Sequence, residues 1–205
     1  FLSLGLELTS DEDYELVAAN AYSVLATLGK PFSLEATLAT ISLKDGYVNV
    51  HSYGDSVIVA KTDWGFIVDQ LEFVDGYPAY PSYLVHPERV AQYKDVRGNV
   101  RHKLAHYTND FVNMLRSDVP YSLNHITRVF TTEEVEWVAI ISDGIHSFRD
   151  EEHQSLSLET ILTELFAIKT FKGEFVHRRM KRYLFDTAKK GWTHYDDLSM
   201  AVVKL

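Results

Sequence analysis

Cysteine is absent from the 205 residues of this chain. Disulfide bridges, thiolate zinc sites and cysteine nucleophiles are therefore excluded, and a reducing compartment is permitted. Long apolar runs are also missing, since no stretch approaches the roughly 18 residues that a membrane-spanning helix needs. No signal peptide is visible at the start. We therefore expect a cytoplasmic protein that has no membrane partner.

Positive charge is scarce, with 20 Lys and Arg residues against 29 Asp and Glu residues and a formal net charge of -9. This balance argues against nucleic acid as a partner. It suits a protein that gathers carboxylates around cations. The length and the 46% share of hydrophobic residues predict a single globular domain, residues 1–205. The oligomeric state is not constrained by these features.

The secondary structure predicted from hydrophobic periodicity mixes strands and helices. Helical spacing runs from Tyr14 to Leu28 and ends at Gly29, a residue typical of helix C-caps. Strands are predicted at 36–43, 47–53, 56–62, 66–73, 126–130 and 135–142, and further helices at 105–115, 157–170 and 174–190. Short turns, including Gly54-Asp55, predict that the first four strands form one antiparallel meander. The pattern indicates an α+β domain.

Three stretches do not fit this regular pattern. Residues 2–8 alternate in polarity and predict an edge strand, whereas 74–88 predict a loop ordered by its tyrosines. The region 89–118, with its predicted helix, is expected to form a lid or flap.

The most informative stretch is 134–148, EVEWVAIISDGIHSF. Its apolar run Val138–Ile141 is typical of a strand that is buried on both faces. Ser142, Asp143 and Gly144 follow directly, so a carboxylate stands at a rigid strand end beside a residue that allows close approach. This arrangement can hold a hard cation. The alternative is a strand that simply stops in a polar turn.

Two other stretches place aspartates in similar settings. Asp55 lies in the Gly-Asp-Ser turn of HSYGDSVIV, and Asp196 and Asp197 lie at the predicted start of the last strand in GWTHYDDLSMAVVKL. In order, spacing and context the three stretches resemble the type 2C, metal-dependent serine/threonine protein phosphatases. The resemblance spans 36–205, with a poor match over 74–134. The ISDGIHSF stretch is most similar to the bacterial and phage-type branch.

The resemblance implies a fold and an activity. The fold is α+β, with two antiparallel β-sheets in a sandwich flanked by helices in four α-β-β-α layers. The activity is hydrolysis of phosphoserine and phosphothreonine in a phosphorylated protein substrate by a metal-activated water. The cofactors are two Mn²⁺ or Mg²⁺ ions, which carboxylate oxygens and waters favour in the absence of sulfur ligands.

The resemblance also implies a set of ligands. Asp143 and Asp196 match the aspartates that bind the metal pair directly, and Asp55 matches a ligand of a third, weaker metal. Asp197 stands where relatives often have asparagine. Adjacent strand residues point to opposite faces, so only one of Asp196 and Asp197 is expected to face the metals.

The residues around these ligands depart from the family in part. Gly144 and His146 adjoin the metal site, and Ser147 occupies the position where the family has its second ligand for the third metal. His146 is adjacent to that position, but its imidazole is a poor ligand for Mg²⁺. Val57, which follows the Gly-Asp-Ser turn, stands where many relatives carry arginine. We therefore expect weak occupancy of a third site.

Two upstream elements of the family are not found. Asp-Gly pairs occur at Asp45, Asp75 and Asp143, and none precedes the first helix in a glycine-rich setting. The aspartate that bridges both metals and an arginine that holds phosphate therefore have no counterpart. We therefore expect either the C-terminal part of a larger protein, lacking the N-terminal strands and first metal motif of the family, or a degenerate domain. The 205-residue chain alone is expected to bind at most one metal weakly and to be inactive or nearly so. A catalytically inactive binding or sensing module is the main alternative, and an unrelated hydrolase or interaction domain is the third.

Two clusters of basic residues offer other hypotheses. His102 and His106, four apart on the predicted helix, suggest a zinc pair, but no third ligand stands at convincing spacing and surface histidines are favoured. In 174–190 the basic residues are His177, Arg178, Arg179, Lys181 and Arg182. They predict a solvated face, with a patch that attracts phosphorylated substrates as the alternative.

Overall fold

The computed structural model of the protein describes residues 11–29, 36–73, 78, 80, 100–108, 112–119 and 125–205. Within these ranges the helices are α1 (Asp11–Thr27), α2 (Leu158–Leu165) and α3 (Phe175–Lys189), with a short 3₁₀ helix at Asp143–Ser147. The first five strands are β1 (Leu38–Lys44), β2 (Tyr47–Tyr53), β3 (Val57–Thr62), β4 (Gly65–Phe73) and β5 (Val100–Thr108). The other four are β6 (Val112–Val119), β7 (His125–Thr131), β8 (Trp137–Ile141) and β9 (Met200–Lys204).

The strands form two sheets. One sheet has three strands in the order β1-β2-β7, and the other has six in the order β6-β5-β4-β3-β8-β9. All neighbouring strands in both sheets are antiparallel. The predicted α+β class with two antiparallel sheets is therefore confirmed.

The segment between β2 and β3 corrects the predicted meander. The strands from 36 to 73 lie close to their predicted positions, but β2 pairs with β1 and β7, whereas β3 pairs with β4 and β8. Gly54-Asp55 is therefore a crossing between the two sheets, and its prediction as a hairpin turn is wrong. Local sequence patterns did not reveal the crossing, because the second neighbours of β2 and β3 are β7 and β8, which lie far along the chain.

The predicted helix at 105–115 is also wrong. Its described residues belong to β5 and β6, which pair with each other, and β5 pairs with β4 along its length. Strand β6 is exposed along most of its length, so its sequence lacks the alternation of buried and exposed residues that marks a half-buried strand. In the described part of the expected lid or flap, residues 100–108 and 112–118 instead form one side of the six-stranded sheet.

Strands β3 and β8 are buried on both faces, as predicted for β8. In β3, Val57 and Val59 pack in a cluster with residues of α2 and α3, whereas Ile58 and Ala60 pack in a second cluster with residues of β2 and β7. Side chains of this size contribute about 1.5–3 kcal/mol each when fully buried. The double-sided core makes this central part of the large sheet a firm support for the loops at its ends.

The helices lie close to their predicted positions. Ser157 Oγ accepts a hydrogen bond from Thr160 N at 3.1 Å at the start of α2, while α2 ends at Leu165 and so is shorter than predicted. Helix α1 is followed by Gly29 with φ of +70°, but its Leu16 and Val24 are exposed. No helix in the described ranges has the length and apolarity to span a membrane. The predicted strand at 2–8 and most of the predicted loop at 74–88 lie outside the described residues.

Candidate metal centre

Three neighbouring strands of the large sheet carry the predicted ligands at one end. The register pairs Val57 of β3 with Ile141 of β8, and Ile141 with Met200 of β9. Asp55 lies just before β3, Asp143 just after β8 and Asp196 before β9. Because the strands are antiparallel, the start of β3, the end of β8 and the start of β9 lie at the same end of the sheet.

The Ser142-Asp143-Gly144 segment is fastened to the segment that precedes β9. Ser142 N donates to Ser199 O at 3.0 Å, and Ser142 Oγ donates to Asp197 O at 3.0 Å. Ser199 N in turn donates to Ser142 Oγ at 3.0 Å. A Cβ atom on Gly144 would lie only 2.1 Å from Asp197 O. Glycine is therefore required here, and its absent side chain lets the two aspartate segments touch.

The electrostatics of Asp143 indicate that the three carboxylates are neighbours. The pKa of Asp143 is raised by burial first, and then by the negative charges of Asp55 and Asp196. Hydrogen bonds from the main-chain N–H groups of Gly144 and Asp143 oppose this rise. The groups that shift this pKa include no cationic side chain. A bound cation would therefore remove a repulsion that the described residues leave uncompensated.

Asp55 is held in place by a threonine that sequence reasoning missed. Thr37 Oγ1 donates to Asp55 Oδ1 at 2.8 Å. The two buried hydroxyls of Ser52 and Ser56 form a hydrogen bond across the crossing segment. Thr37 lies just before β1 and offers no motif, so only the fold reveals it.

Asp196 and Asp197 lie in different settings, although both precede β9. The last strand begins at Met200 and not at the aspartates, so the alternation of strand faces does not apply to the pair. Asp196 Oδ1 accepts a hydrogen bond from Asp197 N at 2.8 Å. Asp196 raises the pKa of Asp143, whereas Asp197 is not among the groups that shift it. This difference supports the choice of Asp196 as the ligand, which stays a prediction.

The neighbours His146 and Ser147 are engaged within the protein. His146 Nε2 donates to Gln70 Oε1 at 2.9 Å, and burial, followed by the charge of Lys103, lowers the pKa of His146. Ser147 is buried, and its Oγ donates to Gly144 O at 2.7 Å. Ser147 therefore stabilises the 3₁₀ turn that follows Asp143, and its hydroxyl hydrogen is already used.

The alternative zinc pair is wrong. His102 and His106 lie on β5, where four residues span about 13 Å. His102 Nε2 lies 2.6 Å from Asp69 Oδ1, and the ring of His106 stacks on Trp64 with centroids 5.4 Å apart. Asp69 also binds Arg128 of β7. The first histidine thus belongs to an ion-pair cluster, Asp69, His102 and Arg128, that links the two sheets.

The donors at the strand ends fit an oxygen-preferring divalent cation. Asp55, Asp143 and Asp196 offer carboxylate oxygens and no nitrogen or sulfur, which suits Mg²⁺ or Mn²⁺. Among the described residues no three His, Asp or Glu side chains are grouped tightly enough to hold an ion by themselves. Mg²⁺ usually retains several waters and needs only one or two carboxylates. The arrangement therefore fits a hydrated cation better than a closed protein cage.

Comparisons with known proteins do not assign the chain. No protein-family model matches it, and no curated protein matches it. Function must therefore be inferred from the residues and from where the fold places them.

Proposed function

We propose that this chain is a metal-dependent phosphatase domain of the type 2C kind, which hydrolyses phosphoserine and phosphothreonine in proteins. One observation supports the proposal most strongly. Asp55, Asp143 and Asp196, selected from three separate stretches of sequence, lie at one end of three adjacent strands, and two of them raise the pKa of the third. Among the described residues, no cationic side chain is among the groups that shift the pKa of Asp143.

The packing supports the finer part of the proposed fold. Val48 and Val50 of the small sheet share a hydrophobic cluster with Ile58 and Val138 of the large sheet. The opposite face of the large sheet packs against α2 and α3. We propose that the sheets form a sandwich with α2 and α3 outside the large sheet. A fourth layer formed by α1 stays a prediction, because the described residues of α1 leave Leu16 and Val24 exposed.

The residues at the strand ends would have separate roles. Asp143 and Asp196 would bind the cation directly, and Asp55, oriented by Thr37, would bind more weakly from the crossing segment. Ser142 and Gly144 keep the two main ligands on adjoining rigid segments. A divalent pair, when bound, lowers the pKa of a shared water and offsets charge on phosphoryl oxygens.

A binding or sensing module without catalysis is the second candidate. It is favoured by the lack of any self-sufficient group of three ligands among the described residues. It is also favoured by Ser147, which occupies the position of a family ligand and already donates to a main-chain oxygen. This candidate would have the same carboxylates as the proposed phosphatase but would not hydrolyse phosphate esters.

Metal titration tests the proposal. We expect calorimetry to show weak binding of one Mn²⁺ to the 205-residue chain, and EDTA to reverse it. Asp143→Asn keeps the shape and removes the charge, so affinity should fall by at least about 100-fold. The matched variant Asp197→Asn should stay within about threefold of wild type. Equal losses from the two variants would refute the choice of ligands.

Turnover separates the two candidates. We expect little or no hydrolysis of p-nitrophenyl phosphate by the 205-residue chain alone. With an aspartate-glycine segment joined upstream, hydrolysis should require Mn²⁺ or Mg²⁺ and stop with EDTA. Binding of Mn²⁺ at Asp143 without any turnover by that longer chain, even at saturating metal, would favour the non-catalytic module.

A further inference from the structure

A second region with unusual chemistry lies on the helices. A cavity of about 810 Å³ is bounded by the end of α2, residues 167–170 and α3. This volume falls within the range of about 300–1,000 Å³ that small-molecule sites occupy. Its lining includes six cations: Lys169, Arg178, Arg179, Arg182, Lys189 and Lys190. None of the three predicted metal ligands lines it.

Only part of this positive charge is neutralised. Among the lining residues the acids are Glu164 and Asp186. Lys190 Nζ pairs with Glu164 Oε1 at 2.5 Å, and Arg182 Nε pairs with Asp186 Oδ2 at 2.8 Å. The remaining four cations, Lys169, Arg178, Arg179 and Lys189, make no ion pair within the described part of the chain. Such a concentration is notable in a chain with a net charge of -9.

Two of the arginines are fixed in position by main-chain oxygens. Arg179 Nε donates to Leu165 O at 2.8 Å, and its Nη2 donates to Glu164 O. Arg178 Nη2 donates to Lys172 O at 2.9 Å. A guanidinium has five N–H donors, so each arginine retains donors for another acceptor. Their side chains are ordered before any ligand binds, which reduces the entropy that binding would cost.

A tyrosine adds an independent indication of a ligand. Tyr183 lines the cavity and is 1% exposed, and its hydroxyl has no hydrogen-bond partner among the described residues. Burial, and then the charge of Glu164, raises the pKa of Tyr183, so the hydroxyl keeps its proton at neutral pH. A buried donor without an acceptor is unfavourable. An anionic oxygen that reached it would remove that cost.

We propose that this cavity binds a small molecule that carries a phosphate or phosphonate group on an apolar body. The anionic oxygens would contact Arg178, Arg179 and the Tyr183 hydroxyl, with planar guanidinium groups suited to phosphoryl oxygens. The apolar body would pack on Ile168 and Phe175, which also line the cavity. The site is separate from the carboxylates and does not depend on the proposed phosphatase activity.

Calorimetry in EDTA tests the proposal with defined probes, because metal-mediated phosphate binding at the carboxylates is then absent. We expect phenylphosphonate to bind the 205-residue chain with a Kd of about 0.1–1 mM. Inorganic phosphate should bind at least about tenfold more weakly, and phenol should not bind. The proposal would be overturned if phenylphosphonate did not bind, or if phenol bound as tightly as phenylphosphonate does.

Variants locate the binding. The double variant Lys169→Gln with Lys189→Gln keeps the proposed contacts and removes two of the six positive charges that line the cavity. It should therefore weaken phenylphosphonate binding by about tenfold. Lys181→Gln, on the same helix but outside the cavity lining, should bind as wild type does, and so should Asp143→Asn. Wild-type affinity in the double variant would contradict the site.

Tyr183→Phe separates ligand contact from folding. It should weaken phenylphosphonate by about fivefold, while the Tm of the free protein stays the same or rises because an unpartnered hydroxyl is removed. Unchanged affinity in this variant, or a large fall in Tm, would contradict the role given to the hydroxyl.

Discussion

Two aspartates of the large sheet lie in opposite electrostatic environments. Asp69 on β4 is 1% exposed, and His102 and Arg128 both contact its carboxylate. Asp143, at the end of β8, has two further carboxylates as neighbours, and no cation is among the groups that shift its pKa. One negative charge is neutralised within the chain, whereas the other is placed among charges of the same sign.

The difference separates a carboxylate that stabilises the fold from one for which we propose a bound cation. A buried carboxylate with two cationic partners links β4 and β5 to β7, and so it joins the two sheets. A carboxylate that the described residues leave uncompensated is costly unless something outside them binds. The proposed metal site depends on this difference in charge arrangement, which the residue type alone does not reveal.

The strongest test of this contrast compares the two aspartates directly. We expect Asp69→Asn to lower the free energy of unfolding by about 3 kcal/mol, because Arg128 and His102 lose a buried counter-charge. Asp143→Asn should leave this free energy unchanged or slightly higher in EDTA, since it removes repulsion. Urea denaturation at pH 7 measures both. A large loss of stability in Asp143→Asn would break the contrast.

A smaller effect is expected from the close contact behind Asp143. Gly144→Ala should cost about 2 kcal/mol, since its Cβ would meet Asp197 O at 2.1 Å. It should also weaken Mn²⁺ binding, because the two ligand segments would be forced apart.

Gly173→Ala is the matched control for that variant. Its φ is +59° and no atom lies within 4 Å of the added Cβ, so it should cost about 1 kcal/mol through the backbone alone. Its Mn²⁺ affinity should equal that of wild type. Equal metal affinity in Gly144→Ala would show that the contact does not position the ligands.

The smallest effect concerns His146, a buried group that the fold keeps neutral. Its ordinary pKa is 6.5 and is lowered in the folded protein, so below about pH 6.5 the unfolded chain takes up a proton that the folded one resists. The contribution of His146 to the free energy of unfolding is present above that pH and is lost as the pH falls. In His146→Gln the free energy of unfolding should therefore fall less between pH 7 and 5 than in wild type, by a difference of less than about 1 kcal/mol.

His177→Gln, the same exchange at an exposed position on α3, is the control for the substitution itself. Denaturation midpoints at several pH values decide between the two variants. The same slope in wild type and His146→Gln would mean that this imidazole is not held neutral.

The strands at the site could be predicted because local chemistry determines them. Strand β8 is apolar on both faces and is followed by Ser142, Asp143 and Gly144, and this pattern predicted both its burial and the position of its carboxylate. The selection of Asp55 and Asp196 came from the resemblance of short motifs. Their common position at one sheet end agrees with that selection.

The remaining features could not be read from local sequence. Strand β6 is exposed at the side of the large sheet, so its residues do not alternate between buried and exposed positions. Thr37 reaches Asp55 because the register of β1 on β2 places Leu38 opposite Tyr53, and no motif marks this contact. The basic residues of α3 stood out in the sequence, but the cavity that some of them line depends on how α3 packs beside the end of α2.

The pairing of β3 with β8, and of β8 with β9, also has a consequence for folding kinetics. These pairings join residues near 57, 141 and 200, so they close long loops and contribute heavily to contact order. The segments that carry Asp55, Asp143 and Asp196 come to one end of the large sheet only after both pairings have formed. Metal binding is therefore expected to follow the slowest folding step and to act by slowing unfolding, because the unfolded chain offers no assembled site.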